Sequence, residues 1–594
     1  MVISPVNAET ETIRFADAGW DSIKFHNAVA GEIIKELYGI EYTEVPGSST
    51  ILLEGMHQNE LDIYMEMWTD NLASYQEDLD KGLFVELGDN FSDNIQGYYV
   101  PQYVIDENPG LKHVSDLNDY AHLFKDEDDP SKGRIYGAIP GWEVDDIMHA
   151  KYLHYGLDKN YIYFRPGSDA ALSAALSNAY DRKEPIVAYY WEPTWLMGMY
   201  DFVLLEDEPH NPDNYLQGES ALPSVRVTIG VSNEFHDKHP EISEFLMKYQ
   251  TSSELTSKAL AYMQESGADY KEAARWFLAE NNELLDEWLT PQQATIIRED
   301  YLEDTEVSEA KDFPIRLPID VNKIDNAVRG FSVRHSAFFD AIRGFLSGLV
   351  GTINNILNVI PWYITLFLVF IAGYKGTGKL LSGVLYAGLL FLIGAVGFWH
   401  LMNLTLSIVI SSVLLSLLIG FPLGVLISGS SRAHALIRPI LDTMQTMPVF
   451  VYLIPALLFF GLGTPPAVIA TTIYAIVPIV RLTAHGLTQI DKEVLEAAQS
   501  FGSTRLQSLI KVQIPQALPT IMTGVNQTIM MAMSMVVTTS MIGAAGLGME
   551  VLISVNRVEI GRGLLSGSAI VIIAVILDRL TQSLVKGNGD TDEH

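Results

Sequence analysis

Two hydrophobic patterns divide the chain. Up to about residue 300, short apolar runs alternate with amphipathic stretches, whereas beyond residue 346 the apolar residues form long, nearly uninterrupted blocks. In the front part, Ile13-Arg14-Phe15 and Leu61-Asp62-Ile63-Tyr64-Met65 read as strands, and residues 22–38 and 169–180 read as helices, the first ending before Gly39. Strands alternating with helices, without internal repeats, predict α/β layers, and the length suits two lobes around a ligand cleft. Residues 301–330 are charged and carry Pro314 and Pro318, the marks of a linker. Residues 331–346 place Phe331, Val333, Phe338, Phe339, Ile342 and Phe345 among polar neighbours, which predicts an amphipathic helix at a membrane surface.

Seven candidate membrane spans follow, near residues 350–373, 380–400, 404–427, 445–462, 465–482, 521–542 and 563–583. Each approaches the ~20 apolar residues that cross hydrocarbon. An odd number puts the two ends of this region on opposite sides. The expected division is therefore residues 1–8, a front domain at 9–300, a linker and interfacial helix at 301–346, a membrane domain at 347–586, and a tail at 587–594. Residues 1–8 end in Val6-Asn7-Ala8 without an apolar stretch before it, and read as the remnant of a signal peptide or as a frayed terminus.

Charge sharpens this division. Residues 1–330 hold 24 Lys+Arg against 62 Asp+Glu, and the remainder holds 14 against 11. The acidity thus belongs to a water-soluble front half, which excludes nucleic acid as a partner because that needs a basic face. The absence of cysteine excludes disulfides, thiolate metal sites and a lipidated cysteine anchor. With the front half outside the cell, Lys375, Lys379, Arg432, Arg438, Arg481, Lys492, Arg505, Lys511, Arg579 and Lys586 fall in cytoplasmic loops. Only Arg334, Arg343, Arg557 and Arg562 are left outside, so the positive-inside rule selects that orientation in the plasma membrane, with the C-terminus cytoplasmic.

The most specific motif in the rear half is Glu496-Ala497-Ala498-Gln499-Ser500-Phe501-Gly502, followed by Val512-Gln513-Ile514-Pro515, within residues 490–515. Small Ala497 and Ala498 allow close helix approach, Gly502 permits a turn, and Pro515 separates the segment from the next span. The spacing resembles the EAA loop of ABC-importer permeases: Glu-Ala-Ala, three residues, Gly, nine residues, then Ile-x-Leu-Pro, with Val512 and Ile514 as the departures. In that family the loop is a short helix seated on the ATPase subunit. The resemblance implies an all-α type I ABC importer transmembrane domain, two copies of this chain paired with two ATPase subunits, and ATP with magnesium in the partner rather than here. Residues 439–463 and the segment from Gly524 to Gly543 look like permeases of glycine betaine importers in particular. In the sixth span, Asn526, Gln527, Thr528, Ser534, Thr538 and Thr539 are too polar for a lipid face. They either line a translocation path or bond helix to helix. Gly373-Tyr374-Lys375-Gly376-Thr377-Gly378-Lys379-Leu380 imitates a phosphate loop, but Leu380 replaces the metal-binding hydroxyl and the segment follows a span, so it reads as a basic turn.

In the front half, tryptophans occur where strands should meet loops: Trp20, Trp68, Trp142 and Trp191. A trimethylammonium group has no N–H to donate and is caged instead by aromatic faces, each worth ~0.5–2 kcal/mol. These passages, with Trp191-Glu192-Pro193-Thr194-Trp195, resemble glycine betaine binding proteins over about residues 11–250. The resemblance implies a two-lobed, periplasmic-binding-protein-like α/β fold and a quaternary-ammonium osmoprotectant as ligand, glycine betaine first, with choline, carnitine or proline betaine as alternatives. Trp68 and Trp191 fit every branch of that family, while Trp20 and Trp142 are used by different branches. Pro140-Gly141 opens a predicted helix at 143–154 whose free amides suit a carboxylate. Glu143, Asp145 and Asp146 in its first turn either stabilise the helix dipole or face the cleft, where they would favour a plain cation. Two other classes compete with the importer: a ligand-gated channel, against which the EAA spacing speaks, and a membrane-anchored hydrolase, for which the sequence offers no convincing nucleophile–base or metal cluster.

Overall fold

The structure, a computed structural model, describes residues 12–302 and 321–586 apart from positions 70, 71, 73 and 558. The expected signal-peptide remnant, most of the linker and the tail at 587–594 lie outside these residues. Two compact units divide at Arg334 and His335, twelve residues before the expected boundary at 346.

The first unit holds two five-stranded sheets. One consists of β1 (Thr12–Asp17), β2 (Glu41–Pro46), β3 (Ile63–Trp68), β4 (Val85–Phe91) and β10 (Val227–Val231), in the order β2-β1-β3-β10-β4. The other consists of β5 (Gln96–Pro101), β6 (Gly133–Tyr136), β7 (Tyr161–Phe164), β8 (Ala188–Trp191) and β9 (Phe202–Leu204), in the order β7-β6-β8-β5-β9. Neighbours joined through helices run parallel, as β1 does with β2 and β3, and β6 with β7 and β8. The strands that follow a crossing between sheets, β10 and β5, run antiparallel to theirs. The expected α/β two-lobed architecture is therefore present.

Local chemistry sets the element ends. The helix Asp21–Tyr38 stops because Gly39 adopts φ 68°, a left-handed conformation that costs glycine little, and returns its N–H to the Lys35 carbonyl. The helix Asp169–Arg182 starts where the Ser168 hydroxyl accepts from the Ala171 N–H. The chain passes between lobes twice, and the two crossings are stitched together. The Asn94 side chain accepts from the Val225 N–H at 2.9 Å and donates to its carbonyl at 2.5 Å. The Ser224 hydroxyl donates to the Ser92 and Asn94 carbonyls.

The second unit is helical. Trp399–Gly429, Thr464–Thr488 and Ile514–Ser534 pack together through small residues. A Cβ on Gly420 would come within 2.6 Å of Ile479, and one on Gly424 within 2.6 Å of Thr483, so only glycine permits this approach. Trp399–Gly429, Thr464–Thr488 and Ile560–Gln582 are each long and apolar enough to cross a membrane.

Two of the seven expected spans are broken. The one at 350–373 is two helices, Ser336–Val359 and Trp362–Thr377, meeting at 94°. That at 445–462 crosses a 97° bend, and its apolar helix, Val449–Phe460, is only 12 residues long, about 18 Å at 1.5 Å per residue. Pro361 and Pro448 cause both bends, since proline forces the residue before it out of helical geometry: Ile360 has ψ 117° and Met447 ψ 129°. By length and apolar composition the described residues contain three candidate spans, or up to five when each bent pair counts as one, against the seven expected. Nor does the interfacial helix end at 346, because Ser336–Val359 is continuous. Within it Phe339 stacks on Phe459 at 4.7 Å, while Phe338 and Phe345 stay exposed. Residues 321–330, expected as linker, are part of the helix Val321–Arg334.

Candidate functional site

The four tryptophans converge on one cavity between the two sheets of the first unit. Trp68 ends β3 and Trp191 ends β8, while Trp20 and Trp142 sit in the turns after β1 and β6. All four thus lie beyond carboxyl ends of strands, where open α/β sheets bind ligands. Glycines shape both turns: Gly19 has φ 94° and Gly141 φ 100°, values that side chains rarely adopt. Trp142 is the keystone of the aromatic wall, its ring edge-to-face with Trp20 (5.3 Å, 86°) and with Trp191 (4.9 Å, 79°). Trp191 in turn packs against Tyr190 at 4.6 Å and Tyr189 at 5.9 Å.

About 450 Å³ of space lies against these rings, also bounded by Ser49, Tyr64, Leu72, Tyr189, Glu143 and Val144. Among the described residues no lysine, arginine or histidine lines it. Gly141, expected beside the ligand, forms the turn that presents Trp142 and is not itself in the lining. Trp195, the second indole of the Trp191–Trp195 segment, packs near Tyr200 instead.

The helix Val144–His154 confirms the expected helix at 143–154, and its first-turn acids separate. Asp145 is buried and bound by Arg165 at 2.8 Å and by the Tyr163 hydroxyl at 3.0 Å, so it faces the lobe interior. Asp146 is exposed. Glu143 alone of the three lines the cavity, and burial raises its pKa above the usual carboxylate range.

A second carboxylate lies under the wall. Glu66 is fully buried on β3 and accepts hydrogen bonds from Trp20 Nε1 at 2.6 Å and Ser22 Oγ at 3.1 Å. Burial pushes it up to about 7, against the opposing pull of hydrogen bonds from Trp20, Ser22 and Trp68. Beside it His26, equally buried, pairs with the Tyr249 hydroxyl at 2.8 Å and is lowered to about 3 by desolvation, so it stays neutral. Glu66 is not among the site residues that the sequence predicts. The available signal was a lone charge at the middle of the cleft-facing set Tyr64, Glu66, Trp68, two residues apart along a strand.

In the second unit, Lys492–Ser500 forms a helix carrying Glu496, Ala497 and Ala498, capped by Asp491. Gly502 turns the chain at φ 80°. None of that helix is buried, and Phe501 (94% exposed), Leu506 (64%) and Ile510 (55%) extend the open surface. Pro515, expected to end the segment, does not do so: Arg505–Ser508, the π turn Leu509–Gln513 and Ile514–Ser534 run on as one helical stretch, and Pro515 sits in the first turn of the last, where its missing N–H is tolerated. Asn526 donates to Asp578 of the last helix at 2.8 Å, Thr528 is buried, and Gln527 and Ser534 are exposed. None of these four lines the small space among the helices that Thr405, Thr471 and Thr539 help to border. The phosphate-loop look-alike is a helix-to-helix turn: Trp362–Thr377 ends at Gly378 (φ 69°) and the next helix starts at Leu380.

A two-lobed domain with an aromatic cleft, continuous with a bundle of apolar helices, defines a solute-capturing module joined to a membrane transport component. Residues 11–280 match the family described as the substrate binding domain of the ABC-type glycine betaine transport system. Residues 412–587 match the binding-protein-dependent transport system inner membrane component. The chain is 45% identical to the glycine betaine/carnitine transport permease GbuB of Listeria monocytogenes over 267 residues, 44% of this chain and 94% of that protein. It is 41% identical to the glycine betaine transport permease OpuAB of Bacillus subtilis over 270 residues, 45% of this chain and 95% of that protein. Among solved structures, lactococcal OpuAC complexed with glycine betaine aligns over 47% of this chain and 100% of its own, at 19% identity and a TM-score of 0.38. The chain belongs to the family of binding-protein-dependent transport permeases. It is a membrane protein and a transport subunit, with a substrate-binding domain of the glycine betaine transport type on the same polypeptide.

Proposed function

We propose that the first unit captures a quaternary-ammonium osmoprotectant, glycine betaine foremost, between Trp20, Trp68, Trp142 and Trp191, and that the helical unit carries it inward. The observation that supports this is a cavity bordered by four indoles and, among the described residues, by no basic side chain. Aromatic faces attract a cation that cannot donate hydrogen bonds, and several together reach the ~8 kcal/mol of micromolar binding. The names of the relatives point the same way. Glu143 on the cavity favours a second ligand, choline, which has no carboxylate to be repelled.

Transport energy enters, in this reading, from a separate ATPase that binds ATP and magnesium and seats on the exposed helix of Glu496, Ala497 and Ala498 beside Gly502. Two copies of the chain in lipid pair with two ATPases. The capture domain is extracellular and the Glu496 turn cytoplasmic, as the distribution of Lys and Arg favours. Asn526, Gln527, Thr528 and Ser534 belong to the helix along which solute moves.

Tryptophan fluorescence of the purified full chain, titrated with glycine betaine, choline and carnitine, tests the cage. Saturable quenching or enhancement by glycine betaine is expected. A chain indifferent to every quaternary amine would sink the proposal.

A further inference from the structure

Along β3 every second side chain faces the cleft. Tyr64 and Trp68 line the cavity, so Glu66, midway between them, lies beneath its floor. Its Oε2 holds the Trp20 indole at 2.6 Å, and no lysine or arginine pairs with it among the described residues. An unpaired carboxylate in a dry interior is expensive, and a glutamine would hold the same indole at less cost. The arrangement makes sense once the cavity holds a permanent cation, because the ligand then supplies the missing opposite charge.

We propose that Glu66 is the buried counter-charge of the aromatic cage: ionised, it steadies the indoles from behind and draws the quaternary ammonium onto their front faces, so that capture of ligand expels a proton. This rests on the reading of the cavity as a quaternary-ammonium site. The proton leaves the Glu66 carboxyl for solvent, and the fixed positive charge of the ligand takes its place as the partner of the carboxylate.

The titratable groups facing Glu66 do not compete for this role. His26 on the helix Asp21–Tyr38, with Nε2 3.6 Å from Oε1, is too strongly desolvated to carry charge near neutrality. Tyr64 on β3 and Tyr249 are held protonated by burial. Glu143, in the turn that opens the helix Val144–His154, is the other carboxyl at the cavity, and it titrates upward of its usual range.

The test is calorimetry on the full chain with choline and glycine betaine as probes, between pH 6 and pH 8, in two buffers of different ionisation enthalpy. Each unit by which the ligand lowers the pKa of a carboxyl is a factor of ten in affinity, so binding about tenfold tighter at pH 8 than at pH 6 is expected. A buffer-dependent enthalpy at pH 7 would report the released proton. Glu66→Gln, whose amide oxygen can still accept from Trp20, should bind with a flat pH profile and no proton release, and Glu143→Gln, whatever it does to affinity for either probe, should retain the proton release. Affinity independent of pH in the wild-type chain, or a profile abolished by Glu143→Gln and kept by Glu66→Gln, would overturn the assignment. Should Glu66→Gln not fold, the wild-type proton count and Glu143→Gln decide the question. A chain that binds neither probe at any pH overturns the cage and this inference together.

Discussion

Replacing Trp142 by alanine removes, of the four cavity tryptophans, the one whose ring touches two of the others. Its contacts with Trp20 at 5.3 Å and Trp191 at 4.9 Å are edge-to-face, a geometry worth ~0.5–1.5 kcal/mol per pair. The variant loses its own face toward the ligand, ~0.5–2 kcal/mol, and leaves its neighbours free to turn away from their binding positions. Taking the face and half of one ring contact gives ~0.75–2.75 kcal/mol, or about 3- to 100-fold in Kd for glycine betaine. Trp142 is only partly buried, so the fold should survive, as near-ultraviolet circular dichroism would verify. Calorimetric titration of the full chain gives the affinity. Trp276 is the control: it stacks on Tyr262 at 4.3 Å and is not part of the cavity lining, so Trp276→Ala should lower Tm and leave Kd unchanged. A Trp142→Ala chain that binds within about twofold of wild type would refute the cage argument, whatever the stability.

Three further outcomes are expected. Gly502→Leu forces a side chain into φ 80°, with nothing within 4 Å for it to strike. It should leave solute binding intact and uncouple ATP hydrolysis from uptake in proteoliposomes with the ATPase, and normal coupling would contradict the proposed docking turn. Asn94→Ala cuts both hydrogen bonds that stitch the lobe crossings at Val225. It should destabilise the capture domain by about 1–3 kcal/mol in urea titration, and an unchanged midpoint would show the stitch to be dispensable. The last concerns pH. Glu66 is raised from 4.5 to about 7 in the folded chain, so stability it contributes below pH 4.5 is lost as pH rises through 7. His26 is lowered from 6.5 to about 3, so its contribution is present above pH 6.5 and lost as pH falls toward 3. These slopes oppose between pH 4.5 and 6.5. Ligand-free Glu66→Gln should therefore gain Tm across that interval, where wild type is comparatively flat, and superimposable profiles would disprove the assignment.

What the sequence made legible is local. The alternation in Ile13-Arg14-Phe15 and the 3.6-residue repeat ending at Gly39 report backbone geometry directly, and tryptophans placed after such strands had to gather at one end of the sheets. The EAA spacing is likewise local, and its helix and turn stand where the pattern puts them. The misses depend on distant partners. Asp145 and Glu143, two residues apart, differ in role because Arg165 and Tyr163 approach only one of them. Glu66 became notable only when folding stripped away its solvent. Hydropathy also ran straight across Pro361 and Pro448, where the helices break, though Pro422, Pro455, Pro478 and Pro519 sit inside continuous ones. Composition alone does not separate these two behaviours, because neighbouring helices and hydroxyls can satisfy the carbonyl that proline leaves without a donor. Thr405, Thr471 and Thr539 come from three well-separated segments, and packing alone brings them around one space.

Capture lobes and permease helices share one backbone, so the cell makes them in equal number and each permease copy carries a binding domain of its own. Tethering fixes the effective concentration of one module about the other in the millimolar range, whatever the abundance of the chain, so supply of the binding domain does not limit the permease.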